Sequence, residues 1–124
     1  MKNEKDVKAA VKKIMGPVRP GLWWYMPSAN GFGTPGIPDF IGAAHGQLFG
    51  IETKFGKGKR TEWQVRQADR IQAAGGKYWL VSEKDLESFA VTFSAWLMGA
   101  SVGGAICVGK STRRWGYTCI TNTR

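Results

Sequence analysis

The chain has few of the side chains that bind transition metals or cross-link small domains. Its 124 residues include one histidine, His45, and two cysteines, Cys107 and Cys119. A structural zinc site needs about four nitrogen or sulfur ligands, and small secreted domains need several cysteine pairs to form a disulfide framework. We therefore expect neither a zinc centre nor a disulfide scaffold, and we interpret both cysteines as free thiols.

Long hydrophobic runs are also absent from the sequence. The most apolar stretch, residues 89–98, contains two hydroxyl side chains and is shorter than the roughly 18 residues of a membrane span. The first six residues are mostly charged, and no apolar segment follows them, which is atypical of a secretory signal. We expect a cytoplasmic protein with no transmembrane segment.

Acidic residues are half as numerous as basic ones, nine against 18, so the formal net charge is +9. Hydrophobic residues make up 43% of the chain and charged residues 22%, which is typical of a globular domain rather than a disordered chain. The length predicts one domain over residues 1–124. The positive excess favours a polyanionic partner, either a nucleic acid or an acidic membrane surface.

The positive charge is unevenly distributed. Basic residues lie near both ends of the chain and in residues 54–70, and none occurs between Arg19 and Lys54. That window contains only two acids, Asp39 and Glu52. Because these carboxylates lie in an apolar, glycine-rich stretch without local ion-pair partners, either another group stabilises them or they lie at the surface.

Hydrophobic periodicity and turn residues predict the element order α-β-β-β-α-β-α-β-β. The predicted elements are a helix over 3–15, strands over 22–26, 39–43 and 47–54, a helix over 61–74, a strand over 78–81, a helix over 82–98, and a final hairpin of strands 105–108 and 115–120. No repeat or interdomain linker interrupts this order. The sequence therefore predicts an α/β fold.

The predicted hairpin brings the two isolated acids together. With its turn centred on His45 and Gly46, the numbers of residues that face each other sum to 91. Asp39 then lies opposite Glu52, with their Cβ atoms about 5 Å apart, and Lys54 lies on the same face, two residues beyond Glu52. The alternative is an ordinary surface hairpin in which the lysine neutralises one acid.

Two opposed carboxylates and a neighbouring lysine are suited to phosphoryl chemistry. Like charges that face each other destabilise a sheet, and a divalent cation between them changes the repulsion into attraction. Carboxylates, carbonyl oxygens and waters are the ligands of Mg²⁺. Such an ion polarises a phosphate oxygen and lowers the pKa of a bound water, and a lysine offsets the charge that develops on the phosphate.

Three short motifs occur in order along the chain: G-I-P-D at 36–39, I-E-T-K at 51–54 and T-E-W-Q at 61–64. Together with the surrounding elements they resemble the PD-(D/E)xK nuclease superfamily, and more narrowly the VRR-NUC family of virus-type replication-repair nucleases. The resemblance covers about residues 4–88. It implies a restriction-endonuclease-like αβββαβ core, to which residues 89–124 add a C-terminal helix and hairpin extension.

The resemblance also implies the roles of several residues. Asp39 and Glu52 would bind Mg²⁺ or Mn²⁺ together with the backbone carbonyl of Thr53, and Lys54 would be the catalytic lysine. Small members of the family resemble phage or prophage enzymes that act on branched or flapped DNA, and they often form homodimers. The implied partners are therefore DNA and a second copy of the chain, in a bacterial or phage-infected cell, without a membrane.

Two further polar residues have an alternative role. Gln64 matches a glutamine that lies beside the active site in the family, but Thr61 and Gln64 also have the spacing of a capping box, and the two roles are compatible. Glu4 matches an acid that completes the metal sphere. The alternative, and the commoner role for an acid at such a position, is a solvated charge at a helix N-terminus, where acids are favoured.

Other residues are candidates for nucleic-acid contact or for a dimer interface. Trp23 and Trp24 alternate between the faces of a strand, so we expect one of them in the core. The candidates for DNA contact are Ser28, Lys57, Lys59, Arg60, Arg113 and Arg114. The candidates for an apolar dimer face are Phe89, Phe93, Trp96 and Leu97.

Our hypothesis from the sequence is a Mg²⁺- or Mn²⁺-dependent DNA endonuclease. The alternative is a non-catalytic nucleic-acid-binding protein that retains the nuclease fold. An RNA-binding module with exposed aromatic residues is a third hypothesis, and the sequence lacks the aromatic motif of the commonest such module.

Overall fold

The computed structural model of the protein describes residues 1–28 and 33–106, with the backbone alone over 101–106. It contains helices and strands in the order α-β-β-β-α-β-α. These elements are α1 (Glu4–Met15), β1 (Leu22–Tyr25), β2 (Phe40–Ala44), β3 (Gln47–Thr53), α2 (Glu62–Ala73), β4 (Lys77–Val81) and α3 (Leu86–Ile106). The predicted α/β fold and the predicted order of these seven elements are confirmed.

The four strands form one mixed sheet in the order β1-β2-β3-β4. β2 pairs antiparallel with both β1 and β3, and β4 pairs with β3 in parallel. A parallel pair needs a crossover connection, which α2 provides. The sheet therefore begins as a meander and ends with a β-α-β unit.

The register between β2 and β3 is the predicted one. Phe40 pairs with Ile51 and Ala44 pairs with Gln47, so the numbers in each pair sum to 91. The turn between the strands has positive φ angles at both central residues, 49° at His45 and 86° at Gly46, as a two-residue type I′ hairpin requires. If this register is extended by one more pair, Asp39, which precedes β2, lies opposite Glu52.

One face of the sheet forms the hydrophobic core with α1 and α3. The buried residues of this core are Val7, Val11, Met15, Leu22, Phe40, Ala44, Phe49, Ile51, Val81, Phe89 and Phe93. At its centre Phe49 makes edge-to-face contacts with Phe93 and Trp96, with ring centroids 5.7 and 5.5 Å apart. The opposite face contacts α2, because Gly50 leaves space there for the side chain of Ile71.

The predicted dimer face on the last helix is wrong. Phe89 and Phe93 are each only 2% exposed, and Trp96 and Leu97 pack against the same core. Phe89 and Phe93 are thus buried against the sheet of the same chain and are not available to a second copy, whereas Trp96 and Leu97 are only partly buried.

The last helix also differs from its predicted limits. It begins at Leu86 because the carboxylate of Asp85 accepts hydrogen bonds from the backbone and hydroxyl of Ser82, at 2.9 and 2.8 Å, which forms a turn instead of a helix cap. It continues to Ile106, so a strand beginning at residue 105 is wrong. The rest of the predicted hairpin, with Arg113 and Arg114, lies outside the described residues, as do both cysteines.

Within the described part of the chain, no helix has the length and apolar character needed to cross a membrane.

The packing of α3 predicts the effect of a single truncation. Phe93→Ala should lower the free energy of unfolding by about 3–5 kcal/mol, because it removes a buried ring and leaves a cavity. Urea denaturation measures this change. The matched control is Val91→Ala on the same helix, where the side chain is 68% exposed, and its effect should stay within about 0.5 kcal/mol. Equal effects of both changes would contradict the packing of α3 on the sheet.

Candidate functional site

Asp39 is fixed to the strand that carries Glu52. Its Oδ2 accepts two hydrogen bonds from Thr53, one from the backbone N–H at 2.8 Å and one from the hydroxyl at 2.7 Å. Because Thr53 directly follows Glu52, these bonds hold the end of β2 against the end of β3. They orient one carboxylate oxygen and leave Oδ1 to face other groups.

Glu52 is almost completely buried, with 2% of the residue exposed. Its Oε2 accepts a hydrogen bond of 2.8 Å from the side-chain amide of Gln64. Its Oε1 is buried without a hydrogen-bond partner. An unsatisfied buried polar atom costs free energy, so this oxygen makes the folded state less stable.

Burial raises the pKa of Glu52 to about 8. The negative charge of Asp39 contributes to this raised pKa, and the positive charge of Lys54 partly opposes the rise. Glu4 adds a smaller contribution in the same direction as Asp39. At neutral pH, and without a bound metal ion, the protonated form of Glu52 therefore predominates.

Gln64 caps α2 and also contacts Glu52. Its backbone N–H donates to the Thr61 hydroxyl at 3.2 Å, and its Oε1 accepts from the Thr61 N–H at 2.8 Å, which completes the capping box at the start of α2. The amide nitrogen of the same side chain donates to Glu52. A single amide group therefore caps the helix and orients the buried acid.

The glycine of the G-I-P-D motif allows the loop before β2 to approach α2. Gly36 has a φ of +82°, and a Cβ at this position would lie 2.3 Å from the backbone carbonyl of Trp63 and 2.8 Å from the backbone nitrogen of Gln64. Only glycine combines this φ with such a close approach. The loop that leads to Asp39 therefore packs directly on the first turn of the helix that carries Gln64.

Lys8 is a part of the site that the sequence analysis missed. Its Nζ lies 3.5 Å from Asp39 Oδ1 and 3.6 Å from Glu4 Oε2. The signal in the sequence was the four-residue spacing between Glu4 and Lys8, which puts both on one helix face. Through this lysine, α1 contributes a positive charge beside Asp39.

The remaining predicted residues surround the carboxylates. Lys54 is half-buried, and no acid among the described residues forms an ion pair with it within 4 Å. Lys57 and Lys59 are exposed on the loop after β3. Ser28 is exposed and borders the cavity of about 400 Å³ that also contains Asp39.

Two more residues that the sequence analysis missed, Tyr78 and Glu83, contact the basic loop after β3. The guanidinium of Arg60 lies 5.7 Å from the centre of the Tyr78 ring, and the Tyr78 hydroxyl is buried without a hydrogen-bond partner. Burial raises the pKa of Tyr78. At the other end of the loop, the backbone N–H of Gly56 donates to both carboxylate oxygens of Glu83, at 3.1 and 3.2 Å.

The oxygen atoms of the site fit a hard divalent cation in part. Glu52 keeps Oε1 without a partner, and Asp39 keeps Oδ1 opposite a lysine, while their other oxygens are held by internal donors. Mg²⁺ commonly uses one or two carboxylates and fills its shell with water. Over the described residues, no three histidine, cysteine, aspartate or glutamate side chains form a group of ligands, and Glu4 Oε2 lies 3.6 Å from Lys8 Nζ.

No model of a known protein family matches the chain, and no curated protein matches its sequence. The functional interpretation therefore depends on the contacts, burial and charge of the site itself.

The raised pKa predicts how stability changes with pH. The folded state binds the proton of Glu52 more tightly than the unfolded state does, so this residue makes the protein less stable as the pH rises from about 4.5 to about 8. Glu52→Gln cannot ionise. It should match the wild type near pH 5 and exceed it above pH 8, with a gap that grows by at most about 1.4 kcal/mol per pH unit.

Urea unfolding at pH 5, 7 and 9 in metal-free buffer measures this effect. The control is Glu87→Gln, at an exposed position of α3, which should follow the wild-type curve. A wild-type stability that rises between pH 5 and pH 8 relative to Glu52→Gln would contradict the assigned direction of the pKa shift.

The close approach at Gly36 gives a second test. Gly36→Ala should lower the free energy of unfolding by more than Gly46→Ala. Both substitutions force a positive φ on alanine, at a cost of about 1–3 kcal/mol. Only Gly36 faces backbone atoms, whereas a Cβ at Gly46 meets nothing within 4 Å. Thermal unfolding compares the two variants, and an equal loss would show that the loop does not pack on α2 as described.

Proposed function

We propose that the protein is a metal-dependent endonuclease of the PD-(D/E)xK type that hydrolyses phosphodiester bonds in DNA. The observation that carries this proposal is the convergence of Asp39 and Glu52 at neighbouring strand ends, with Lys54 two residues after Glu52, directly after the end of β3. The site lies in a protein of net charge +9. A protein that only binds nucleic acid gains nothing from two acids beside the phosphates.

The order of elements around the site supports the proposal. The core runs α1-β1-β2-β3-α2-β4, which is the αβββαβ order that the resemblance implies. The two acids lie at the open end of the β2–β3 hairpin, opposite the turn, and Gln64 comes from the crossover helix α2. Each of the three motifs therefore contributes a residue to one location.

The chemistry follows from what each side chain presents. Asp39, Glu52 and the carbonyl of Thr53 would hold Mg²⁺ or Mn²⁺, and such an ion, when bound, polarises a phosphate oxygen and makes its water more acidic. The Gln64 amide donates a hydrogen bond to Oε2 of Glu52, and Oε1 of Glu52 has no hydrogen-bond partner. The ammonium group of Lys54 offsets the charge that builds up on the phosphate.

The basic loop after β3 supplies the contacts to the DNA backbone. Lys57 and Lys59 are exposed on this loop, which also begins with Lys54 directly after the strand that carries Glu52. Arg60 lies just before α2, with its guanidinium beside the ring of Tyr78 on β4. Contacts of this kind release counterions, so the affinity should fall steeply as salt is added.

A non-catalytic nucleic-acid-binding protein is the second candidate. The observation that favours it is that no group of three metal-ligating side chains forms in the described part of the chain. The homodimer implied by the resemblance stays a prediction for either candidate.

A cleavage assay separates the two candidates. Wild type and Asp39→Asn are incubated with labelled linear duplex and four-way-junction DNA, with Mg²⁺, Mn²⁺ or chelator. We expect the wild type to cut only with metal, and Asp39→Asn to cut at least about 100-fold more slowly, since it loses a carboxylate ligand and the chemistry that this ligand supports. In chelator the variant should bind DNA as tightly as the wild type or more tightly, because a negative charge near the phosphates is removed.

The control for this assay is Glu62→Gln, at an exposed carboxylate on the first turn of α2, which should cut like the wild type. If the wild type binds DNA and never cuts it with either metal, the nuclease proposal fails and the binding protein replaces it. Weaker DNA binding by Asp39→Asn would also contradict our account of the charge.

A further inference from the structure

Two large aromatic side chains lie exposed side by side on an edge strand. Trp23 and Tyr25 of β1 are 52% and 47% exposed, and their ring centroids lie 5.3 Å apart with a 36° angle between the planes. Trp24 between them lies on the other face of the sheet, where it packs on Phe40 and donates its indole N–H to the carbonyl of Gly16 at 3.0 Å. Trp24 is therefore the core residue of the pair of tryptophans, and Trp23 has no comparable structural role.

The aromatic pair lies close to the candidate site. Tyr25 is the cross-strand partner of Ile41, which is two residues from Asp39 and on the same face. Two residues of a strand span about 7 Å, and neighbouring strands are about 5 Å apart. The Cα atoms of Tyr25 and Asp39 are therefore within about 10 Å of each other by strand geometry.

A depression in the surface connects the two places. A cavity of about 620 Å³ is bounded by Tyr25 and Ile41 on the sheet and by Ile71 on α2. The adjoining cavity of about 400 Å³ contains Asp39. Both are bordered by Ser28 and Ile37, so one groove runs from Tyr25 to the carboxylate, and Trp23 lies beside Tyr25 at its start.

The chemistry of this groove suits bases better than phosphates. No lysine or arginine occurs between Arg19 and Lys54, so the chain segment that forms most of the wall supplies no positive charge. Exposed aromatic rings stack on the faces of nucleic-acid bases, and every base has such a face. In a duplex those faces are already stacked on neighbouring bases, so only an unpaired base can bind in this way.

We propose that Trp23 and Tyr25 form a stacking platform for unpaired bases of a nucleic-acid strand whose backbone leads to Asp39. This inference rests on the nucleic-acid-binding part of the proposed function, and it does not require cleavage. The platform holds bases, while the basic loop after β3 holds phosphates. The two surfaces approach the carboxylates from different sides of the site.

A second copy of this chain is the competing occupant. Edge strands present unpaired backbone groups and can pair with another strand, and exposed aromatic residues are common in protein interfaces. We favour nucleic acid because the platform is continuous with a groove that ends at Asp39 and because the protein has a charge of +9.

Binding of a labelled oligothymidylate, measured by fluorescence anisotropy in chelator, tests the platform. Stacking contributes about 1–3 kcal/mol per base, so Trp23→Ala and Tyr25→Ala should each weaken binding by about 5-fold to 150-fold. Both should change the affinity for a blunt duplex by less than about 2-fold, because a duplex offers no base face to the platform. Trp23→Phe and Tyr25→Phe keep a ring and should retain most of the affinity.

The matched control is Met98→Ala, at an exposed apolar position on α3, which should leave both affinities unchanged. Thermal unfolding verifies that each variant is folded, and the phenylalanine variants keep the test decisive if an alanine variant is not. Sedimentation velocity without DNA reports the oligomeric state.

The outcomes separate this inference from the nuclease proposal. Selective loss of oligothymidylate binding supports the platform even if the wild type never cuts DNA. Unchanged binding, an equal loss for duplex and single strand, or conversion of a dimer into a monomer would overturn the platform while leaving the cleavage result unaffected. If the wild type binds neither DNA, both proposals fail together.

Discussion

The register of the β2–β3 hairpin is the constraint on which the rest of the site depends. A two-residue turn at His45 and Gly46 fixes which residues face each other. A shift by one residue would move every side chain of one strand to the opposite face of the sheet. It would separate Asp39 from Glu52 and expose Phe40 or Phe49 in exchange for polar residues. The hydrophobic core and the acid pair therefore depend on the same turn, and the burial of the core stabilises the position of the acids.

The fold holds the acid pair together against its own repulsion. Asp39 is tied to Thr53 by two hydrogen bonds, Glu52 is buried and accepts one hydrogen bond from Gln64, and Lys8 lies opposite the free oxygen of Asp39. The raised pKa of Glu52 shows the remaining cost of this arrangement. Such clusters of perturbed acids are common at functional sites, although ion-pair networks of purely structural role also produce them. Oε1 of Glu52, which is buried without a hydrogen-bond partner, distinguishes this cluster from a closed network.

Much of the site could be predicted because its determinants are local in sequence. The hairpin register follows from one turn, and the capping box from the spacing of Thr61 and Gln64. The burial of Phe89 and Phe93 could not be predicted in the same way, because it depends on which face of the sheet α3 covers. The same residues would have formed an exposed stripe on an unpacked helix, which is why the sequence alone suggested a dimer face.

The residues that sequence reasoning missed depend on contacts between distant elements. Lys8 reaches Asp39 only because α1 packs beside the end of β2. The choice between Trp23 and Trp24 as the core residue depends on the side of β1 that α1 and α3 cover. Glu83 reaches Gly56 across 27 residues, and no pattern in either segment indicates this contact.

The dual use of the Gln64 amide has a consequence for how accurately the buried acid is located. A carboxylate on a strand end can usually rotate about its own side-chain bonds. Here the Gln64 amide that donates to Glu52 also accepts a hydrogen bond from the backbone N–H of Thr61. The first turn of α2 therefore helps to set the orientation of the Glu52 side chain. Rotating the amide by half a turn would break the cap and the contact with Glu52 at once. The orientation of the acid therefore depends on the cap at the start of α2.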